Sequence, residues 1–459
     1  MAPLHVVILA AGQGKRMKSR LPKVLHRLAG RTLLEHVVAT TRELDPAAIH
    51  TVYGYGGQQV RNAHPDLGVQ WVEQREQRGT GHAVEQAMPA IPDEATVLVL
   101  VADVPLIDAD TLRDTVAEAG EGSLALITVQ VEDPRGYGRI LRGSDGRVVG
   151  IVEDRDASDS ERSVKEINTG ILAAGAASLR GWLRRIDESN AQGERYLTDV
   201  IALAVGEGGD VNSIRPGAVE EVLGVNDRSQ LATLERHYQR RQAERLMRDG
   251  VTIVDPARLD IRGEVDIGRD VSLDVNVILE GKVVIAEGAN IGPNCVIKDA
   301  EIGPDSEIHA NTVIEQATVG AGCRIGPYAR LRPGTTLAED VHIGNFVEVK
   351  NTRVGRRSKA NHLTYLGDSQ VGKDVNVGAG TITCNYDGAE KHTTVIEDGV
   401  FVGSGVELVA PITVHAGATI GAGATVTKDV ASGVLSVNRG RQTTIENWAR
   451  PTKKKKGSK

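Results

Sequence analysis

Two stretches of this 459-residue chain carry side chains whose types and spacing could do chemistry. The first is LAAGQGKRMKSRLPK, Leu9 to Lys23. An apolar run ends at Leu9, and Gly12 and Gly14 let the next backbone approach a ligand closely, leaving N–H groups free for phosphate oxygens. Arg16 and Lys23 bracket the loop and could grip a triphosphate and a departing pyrophosphate. It is not a Walker loop, because Arg16 follows Gly14-Lys15 where serine or threonine is needed. It also fails the GxGxxG fingerprint, since Met17 stands at the third glycine. Asp103 closes another apolar run, VLVLVAD, and is either a ligand-facing group at a strand end or the cap of a following helix. The second stretch holds Arg332 and Lys350, eighteen residues apart, a solitary His362, and the turn-forming Asn385-Tyr386-Asp387-Gly388.

What these groups can do depends on the backbone that presents them. Beyond residue 250 that backbone is a repeat. Aliphatic residues recur at Ile285, Ile291, Ile297, Ile302, Ile308 and Ile314, and the series continues to Val426 in steps of six, occasionally five. Four residues after most of them stands a small or β-branched one, such as Ala289, Cys295, Ser306, Thr312 or Cys323. Period six fits neither an α-helix nor an alternating strand. It fits a three-sided coil of short strands, with one aliphatic residue per side pointing inward and tight corners that favour Gly and Asn.

Register then sets direction. Arg332 and Lys350 each follow an inward aliphatic residue, so both point outward on one face, three repeats apart, in strands stacked ~4.8 Å from each other. Two cations that close are either an anion site or a pair of solvated charges. His362 is also outward, with Asn345 and Ala379 as its equivalents one coil below and above. It is either a surface histidine or a proton acceptor. Between Val377 and Ile396 two aliphatic slots are lost to TCNYDGAEKHTT, so a loop is expected to leave the prism there.

Residues 4–226 read differently. HVVILAAG, IHTVYGYG, VLVLVAD, LALITVQV and TGILAAG are near-continuous apolar runs, the mark of strands buried on both faces of a mostly parallel sheet. The expected organisation is a doubly wound α/β domain over 1–226, a connector helix over 227–250, a β-helix over 251–437 and a tail over 438–459. The connector has few apolar positions (Leu231, Leu234, Leu246) and is expected as an exposed rod of roughly 34 Å.

Composition narrows the class. Aromatics are only 3% against 52 glycines, which favours thin, regular architectures. A net charge of −7 argues against a general nucleic-acid binder, and the basic run Lys453–Lys456 reads as a solvated tail. No apolar stretch approaches 18 residues and the N-terminus reads as a buried strand, so no membrane span or signal peptide is expected. Cys295, Cys323 and Cys384 form no CxxC pair; the first two fall on inward slots as core filler, and reduced cytoplasmic thiols fit.

Two resemblances add to this. The repeat resembles the hexapeptide-repeat family, which implies a left-handed coil; general crossover rules alone would favour the other hand. The Leu9–Lys23 stretch resembles the sugar-nucleotide pyrophosphorylases, whose signature L-x-x-G-x-G-T-x-M is followed by P-K; Lys15 replaces the usual threonine. QREQRGTGHAV, VADVPL, GYGRI, VGIVED, EINTGI and GVND extend the likeness over the whole chain to the bifunctional N-acetylglucosamine-1-phosphate uridyltransferase/glucosamine-1-phosphate acetyltransferase family.

That resemblance implies a Rossmann-like first domain in which Leu9, Ala10, Ala11, Gly12, Lys23, Gln74, Gly79 and Thr80 bind UTP. Gly138, Glu153, Asn168 and Asn226 would hold N-acetylglucosamine, and Asp103 with Asn226 would hold Mg²⁺. Lys23 would stabilise the pentacoordinate phosphorus and Arg16 the leaving group. On the β-helix, His362 would be the acetyl-transfer base, and Arg332, Lys350, Tyr365 and Asn376 would surround glucosamine-1-phosphate. Asn385 and Tyr386 would stand where the sugar phosphate meets acetyl-CoA, whose groove Ala379, Ser404, Ala422 and Arg439 would line; Ser404 and Ala422 fall eighteen apart in matching outward slots. The implied protein acetylates first and uridylylates second, making UDP-N-acetylglucosamine for cell-wall precursors. A prism too narrow to enclose a coenzyme implies grooves between prisms, and the resemblance implies that a homotrimer through the β-helix provides them. Two rivals stand: a uridyltransferase with the prism as mere scaffold, and a sugar-nucleotide sensor without catalysis.

Overall fold

The computed structural model describes residues 2–120, 122–438, 440 and 442–450. The chain folds as two compact units. One holds the residues up to Glu244 with Ile261–Gly263; the other holds Arg245–Asp260 and everything from Glu264 onward.

The first unit is built on a nine-stranded sheet. Its main path runs from Val211–Ile214 through Leu124–Gln130, Glu166–Gly175, Thr96–Val101, Leu4–Ala10 and Ala48–Tyr53 to Gln70–Glu73, and the hairpin Arg139–Arg142/Val148–Val152 hangs from Glu166–Gly175. Successive strand residues point to opposite faces, and here both faces are covered. Val7, Val97 and Val99 enter one aliphatic cluster, Val6, Ile8, Leu98 and Leu100 the other. That is why the strands read as unbroken apolar runs. The same signal cannot show direction: Glu166–Gly175 runs antiparallel to both neighbours. Leu4–Ala10 lies between Thr96–Val101 and Ala48–Tyr53, all parallel, so the strand order switches at its C-terminal end. The glycine loop leaves from that end, and Asp103 follows the neighbouring strand.

The connector helix, Arg228–Arg248, corrects the expectation of an exposed rod. Leu234 is buried with Met17, Leu28, Leu33 and Val225, and Leu231 and Tyr238 pack beside it. Positions 231, 234 and 238 share a helix face, so three apolar side chains make a sufficient stripe. Gln239, also buried, is satisfied in both directions by the backbone of Ile261, at 2.8 Å each way.

The second unit is a three-sided parallel β-helix. Register pairs Ile308 with Ile325, Ile325 with Ile343, and Val349 with Leu366, so a coil takes 17 or 18 residues. Eleven strands form one side and seventeen wrap the other two. Ala289, Cys295, Ser306, Thr312 and Cys323 are each 0% exposed, as inward slots require. The expected early departure of the loop is corrected. The prism continues through Ile382–Cys384, with Thr381 and Thr383 buried where aliphatic residues were missing. These two hydroxyls are tolerated inside because they are satisfied: Thr381 Oγ1 donates to the Gly378 carbonyl at 2.7 Å, and Thr383 Oγ1 accepts from the Gly367 N–H at 2.8 Å. Only after Asn385 does the chain leave the coil. Among the described residues no helix is long and apolar enough to cross a membrane.

Candidate functional sites

A cleft of about 550 Å³ opens at the switch point of the first unit. Leu9, Ala10, Ala11, Gly12, Lys23, Gln74, Gly79 and Thr80 all line it, and so does Asp103. Gly79 has φ +105, and a Cβ there would lie 2.5 Å from the Arg195 carbonyl, so only glycine fits. Gln74 is buried and donates its amide N–H to the Gly79 carbonyl at 3.1 Å, which leaves its carbonyl oxygen as an acceptor. Tyr55 and Gln77 also line the cleft. Sequence reading missed both, because each sits at or beyond the end of its element, where no pattern says which side chain faces a ligand.

Asp103 does not cap a helix. The next one, Ala109–Ala117, is capped by Asp108. Asp103 instead forms an ion pair with Lys23, whose Nζ also donates to Asn226 Oδ1 at 2.9 Å. Asp227 takes the capping duty at the connector, accepting from the Gln230 N–H at 2.9 Å, and Asn226 is left free for Lys23. Arg16 sits apart, exposed on the short turn Lys15–Met17 beyond the cleft lining. One carboxylate oxygen and one amide oxygen already converge on a cation, here an ammonium. That is a donor set suited to Mg²⁺, which takes few protein oxygens and completes its shell with water and phosphate.

A smaller recess of about 110 Å³ adjoins the cleft, sharing Leu9, Thr80 and Val101 with it. Glu153 and Asn168 line it. Gly138 stands beside them, since a Cβ on it would lie 3.4 Å from Glu153 Oε1. Burial raises the Glu153 pKa, partly offset by the Thr198 hydroxyl, which donates to its carboxylate at 3.1 Å. The pairing of Glu166–Gly175 with Leu124–Gln130 slips between Asn168 and Leu172, so the irregularity lies where this strand lines the recess.

On the prism the outward expectations hold in direction and fail in one detail. Arg332 and Lys350 are half-exposed and His362 is exposed. Yet Arg332 is not an unpaired cation: its guanidinium donates to Glu348 Oε1 at 2.7 Å. The close pair of cations is Lys350 with Lys391, and the neighbouring Lys350 ammonium pushes the Lys391 pKa below the ordinary lysine value. Lys391 comes from the loop, where no register exists to flag it. Tyr365 folds its ring over Gly367, where a Cβ would lie 2.3 Å from the phenol oxygen. Asn385 is buried and donates to Tyr365 and Asp368, whereas Tyr386 is 60% exposed.

His362 stands on a different side. It ends Lys359–His362 in the eleven-stranded sheet, in register with Asn345, and its Nδ1 lies 2.6 Å from Asn345 Oδ1. An amide oxygen only accepts, so Nδ1 carries the proton and the lone pair of Nε2 faces outward. Asn376, Ala379, Ser404 and Ala422 lie along this side above it. The Gly405 N–H bonds to the Ala379 carbonyl at 2.7 Å and the Gly423 N–H to that of Ser404 at 2.9 Å, so Ala379, Ser404 and Ala422 stack as a ledge of small residues. Arg332, Lys350 and Tyr365 lie around the corner on the neighbouring side. Arg439 and the Lys453–Lys456 run lie outside the described residues.

A glycine loop at the switch point and outward polar groups on a hexapeptide coil define a two-part transferase. The MobA-like NTP transferase domain family matches residues 6–252, the GMPPB C-terminal domain 261–365, and the bacterial transferase hexapeptide (six repeats) 393–428. The Bifunctional protein GlmU of Marinobacter nauticus is 58% identical over 453 residues, covering 99% of this chain and 100% of that one. That of Aromatoleum aromaticum is 56% identical over 454 residues, with 99% and 100% covered. The chain belongs to the family of bifunctional GlmU proteins. It is a uridyltransferase and acetyltransferase of UDP-N-acetylglucosamine biosynthesis, using UTP and acetyl-CoA, and its coil is the left-handed one of hexapeptide repeats. Neither the scaffold nor the sensor reading survives this.

Proposed function

We propose that the chain first moves acetyl from acetyl-CoA to the amine of glucosamine-1-phosphate on the prism wall, then joins the product to UMP in the cleft, releasing pyrophosphate. The observation carrying the acetyl half is the His362–Asn345 pair at 2.6 Å, which leaves an outward Nε2 to take the amine proton as the thioester carbonyl is attacked. Lys350 and Lys391, neighbouring like charges with no ion-pair partner among the described residues, would hold the sugar phosphate, with Arg332, Tyr365 and Asn376 around it. Asn385 braces Tyr365, Tyr386 borders the coenzyme, and the small ledge of Ala379, Ser404 and Ala422 offers it a smooth bed; Arg439 is assigned to the coenzyme by the family resemblance alone.

In the cleft, the Gln74 carbonyl, Gly79 and Thr80 would read the uracil edge, and the backbone of Leu9–Gly12 would hold phosphate. Glu153, Asn168 and Gly138 would seat the acetylated sugar in the recess, beside Asn226. Its phosphate is the nucleophile, so no protein base is required; Lys23 and Arg16 would steady the phosphorus and the leaving group. A bound Mg²⁺, held by Asp103 and Asn226, would supply charge neutralisation and phosphate alignment.

We further propose a homotrimer. One corner of the prism carries Tyr328, Phe346 and Leu363, one per coil, at φ +56, +57 and +44 and 53%, 55% and 63% exposed. Coils below place asparagine at this left-handed position (Asn294, Asn311) and coils above place glycine (Gly380, Gly405). Bulky residues there cost roughly 1 kcal/mol each, which contact with another prism would offset. The same ridge separates His362 from Lys350 on one prism, so a neighbouring copy would bring the two groups together. Phe346→Asn should relieve strain yet shift mass measured by light scattering from trimer to monomer, with acetyl transfer lost. A trimer of full activity would contradict this. For reaction order, the test is UTP with each sugar phosphate: pyrophosphate release should be at least tenfold faster with N-acetylglucosamine-1-phosphate, and equal rates would contradict the proposal.

A further inference from the structure

The three residues at the floor of the cleft come from distant parts of the chain, yet one ammonium ties them together. Lys23 pairs with Asp103 and donates to Asn226 at 2.9 Å, and the side chains of Lys23 and Asp103 are only 15% and 20% exposed. These two oxygens are the ones assigned above to the divalent cation. Magnesium binds oxygen at about 2.0–2.1 Å in near-octahedral geometry. An ammonium hydrogen-bonded to the same oxygens occupies that space, and the two cations repel. They cannot share the pair.

We infer that Lys23 is the internal competitor of the metal: its ammonium holds Asp103 and Asn226 together until a divalent cation displaces it into the cleft, where it becomes available to phosphate. The inference rests on the reading of Asp103 and Asn226 as metal ligands. Local packing supports a swing of the ammonium head and not of the whole side chain. A Cβ on Gly14 would lie 2.6 Å from Lys23 Cβ and 3.3 and 3.4 Å from its Cδ and Cγ, so the phosphate loop runs along the lysine stem as far as Cδ and the swing is left to the Cε–Nζ end. The cleft beyond, about 550 Å³, has room for the displaced head. Lys23 therefore has two positions with two partners, and the metal selects between them. Without metal the cleft lacks one of its phosphate-binding cations, so nucleotide should bind weakly for a reason beyond lost chelation.

The test uses the full-length protein without nucleotide, titrated with Mn²⁺ and followed by the electron paramagnetic resonance signal of the free ion. Lys23→Met should bind Mn²⁺ about tenfold more tightly than wild type, the factor equivalent to about 1.4 kcal/mol of displaced ion pair. Lys23→Arg, which keeps a competing cation, should stay near the wild-type value, and Asp103→Asn should lose the site. In wild type, acylation of Lys23 by a water-soluble anhydride, read by mass spectrometry against the exposed Lys18, should speed up severalfold when Mn²⁺ is added. If Asp103→Asn binds Mn²⁺ like wild type, the ligand assignment falls and the competition with it. If Asp103→Asn loses the metal but Lys23→Met binds no more tightly, the competition alone is overturned. Should Lys23→Met fail to fold, a Lys23 labelling rate indifferent to Mn²⁺ in wild type overturns it equally.

Discussion

The cleft and the prism solve the same problem, placing charged and polar groups against a sugar phosphate, in opposite ways. In the first unit polar groups are buried or nearly so. Glu153, Gln74 and the Lys23–Asp103 pair gather at the end of a sheet whose interior also encloses the histidines His5 and His50. In the prism the interior is chemically inert, holding aliphatic chains, buried hydroxyls, and the thiols of Cys295 and Cys323, which burial pushes up to about 11. Everything reactive is on the wall. A thin coil has no room for anything else, and the difference teaches that architecture decides where chemistry can be read.

The largest break in that comparison comes from removing the wall base. His362→Ala should lower acetyl transfer by about 10³-fold, within the range expected for a general base, and leave pyrophosphate release from UTP within twofold of wild type. Coupled assays on one preparation would show it.

The wall was legible because six-residue register fixes inward and outward without a fold to consult. Arg332, Lys350, His362, Ser404 and Ala422 all point as their slots require. What register could not give was the side-chain partner. Glu348 beside Arg332 and Asn345 beside His362 sit in known outward slots, yet only coordinates show that they touch. Lys391 lies on the loop, and loops carry no period. The cleft was legible in part: its glycine loop and Asp103 follow apolar runs, whereas Tyr55 and Gln77 lie in noted segments, IHTVYGYG and QREQRGTGHAV, where nothing marked these two side chains as the ones that face a ligand. The connector was misread because Leu231, Leu234 and Leu246 in a charged helix looked too few, and Tyr238, which completes the stripe with Leu231 and Leu234, was not counted. Their spacing, on one face, mattered more than their number.

A middle-sized effect sharpens the account of the wall. Asn345→Leu should reduce acetyl-transfer kcat about tenfold with KM little changed, and should alter the pH profile, because Nδ1 loses its acceptor and the imidazole its fixed tautomer. Asn345→Asp, which keeps an acceptor, should restore most of the rate and move the profile to higher pH. Equal losses in both variants would point to packing alone.

The smallest effect concerns the two interiors. His50 is fully buried, 3.0 Å from His5, and burial with the His5 charge lowers its pKa to about 4. Its folded pKa is below the unfolded value of about 6.5, so between those pH values the unfolded chain binds a proton that the folded one refuses. Stability should be unaffected above pH 6.5 and fall as pH drops toward 4, by at most about 1.4 kcal/mol per pH unit. Because the prism interior holds no histidine, hydrogen exchange at pH 5 should loosen Leu4–Ala10 and Ala48–Tyr53 before any inward strand of the coil. The reverse order would break the contrast between the units.

The most direct test mixes two crippled proteins. His362→Ala keeps the cleft and Asp103→Ala keeps the wall. Neither alone should make UDP-N-acetylglucosamine from glucosamine-1-phosphate, acetyl-CoA and UTP, whereas the mixture should make it at a rate within a few-fold of wild type. A mixture no better than the sum of its parts would mean that the two reactions do not run at separate sites.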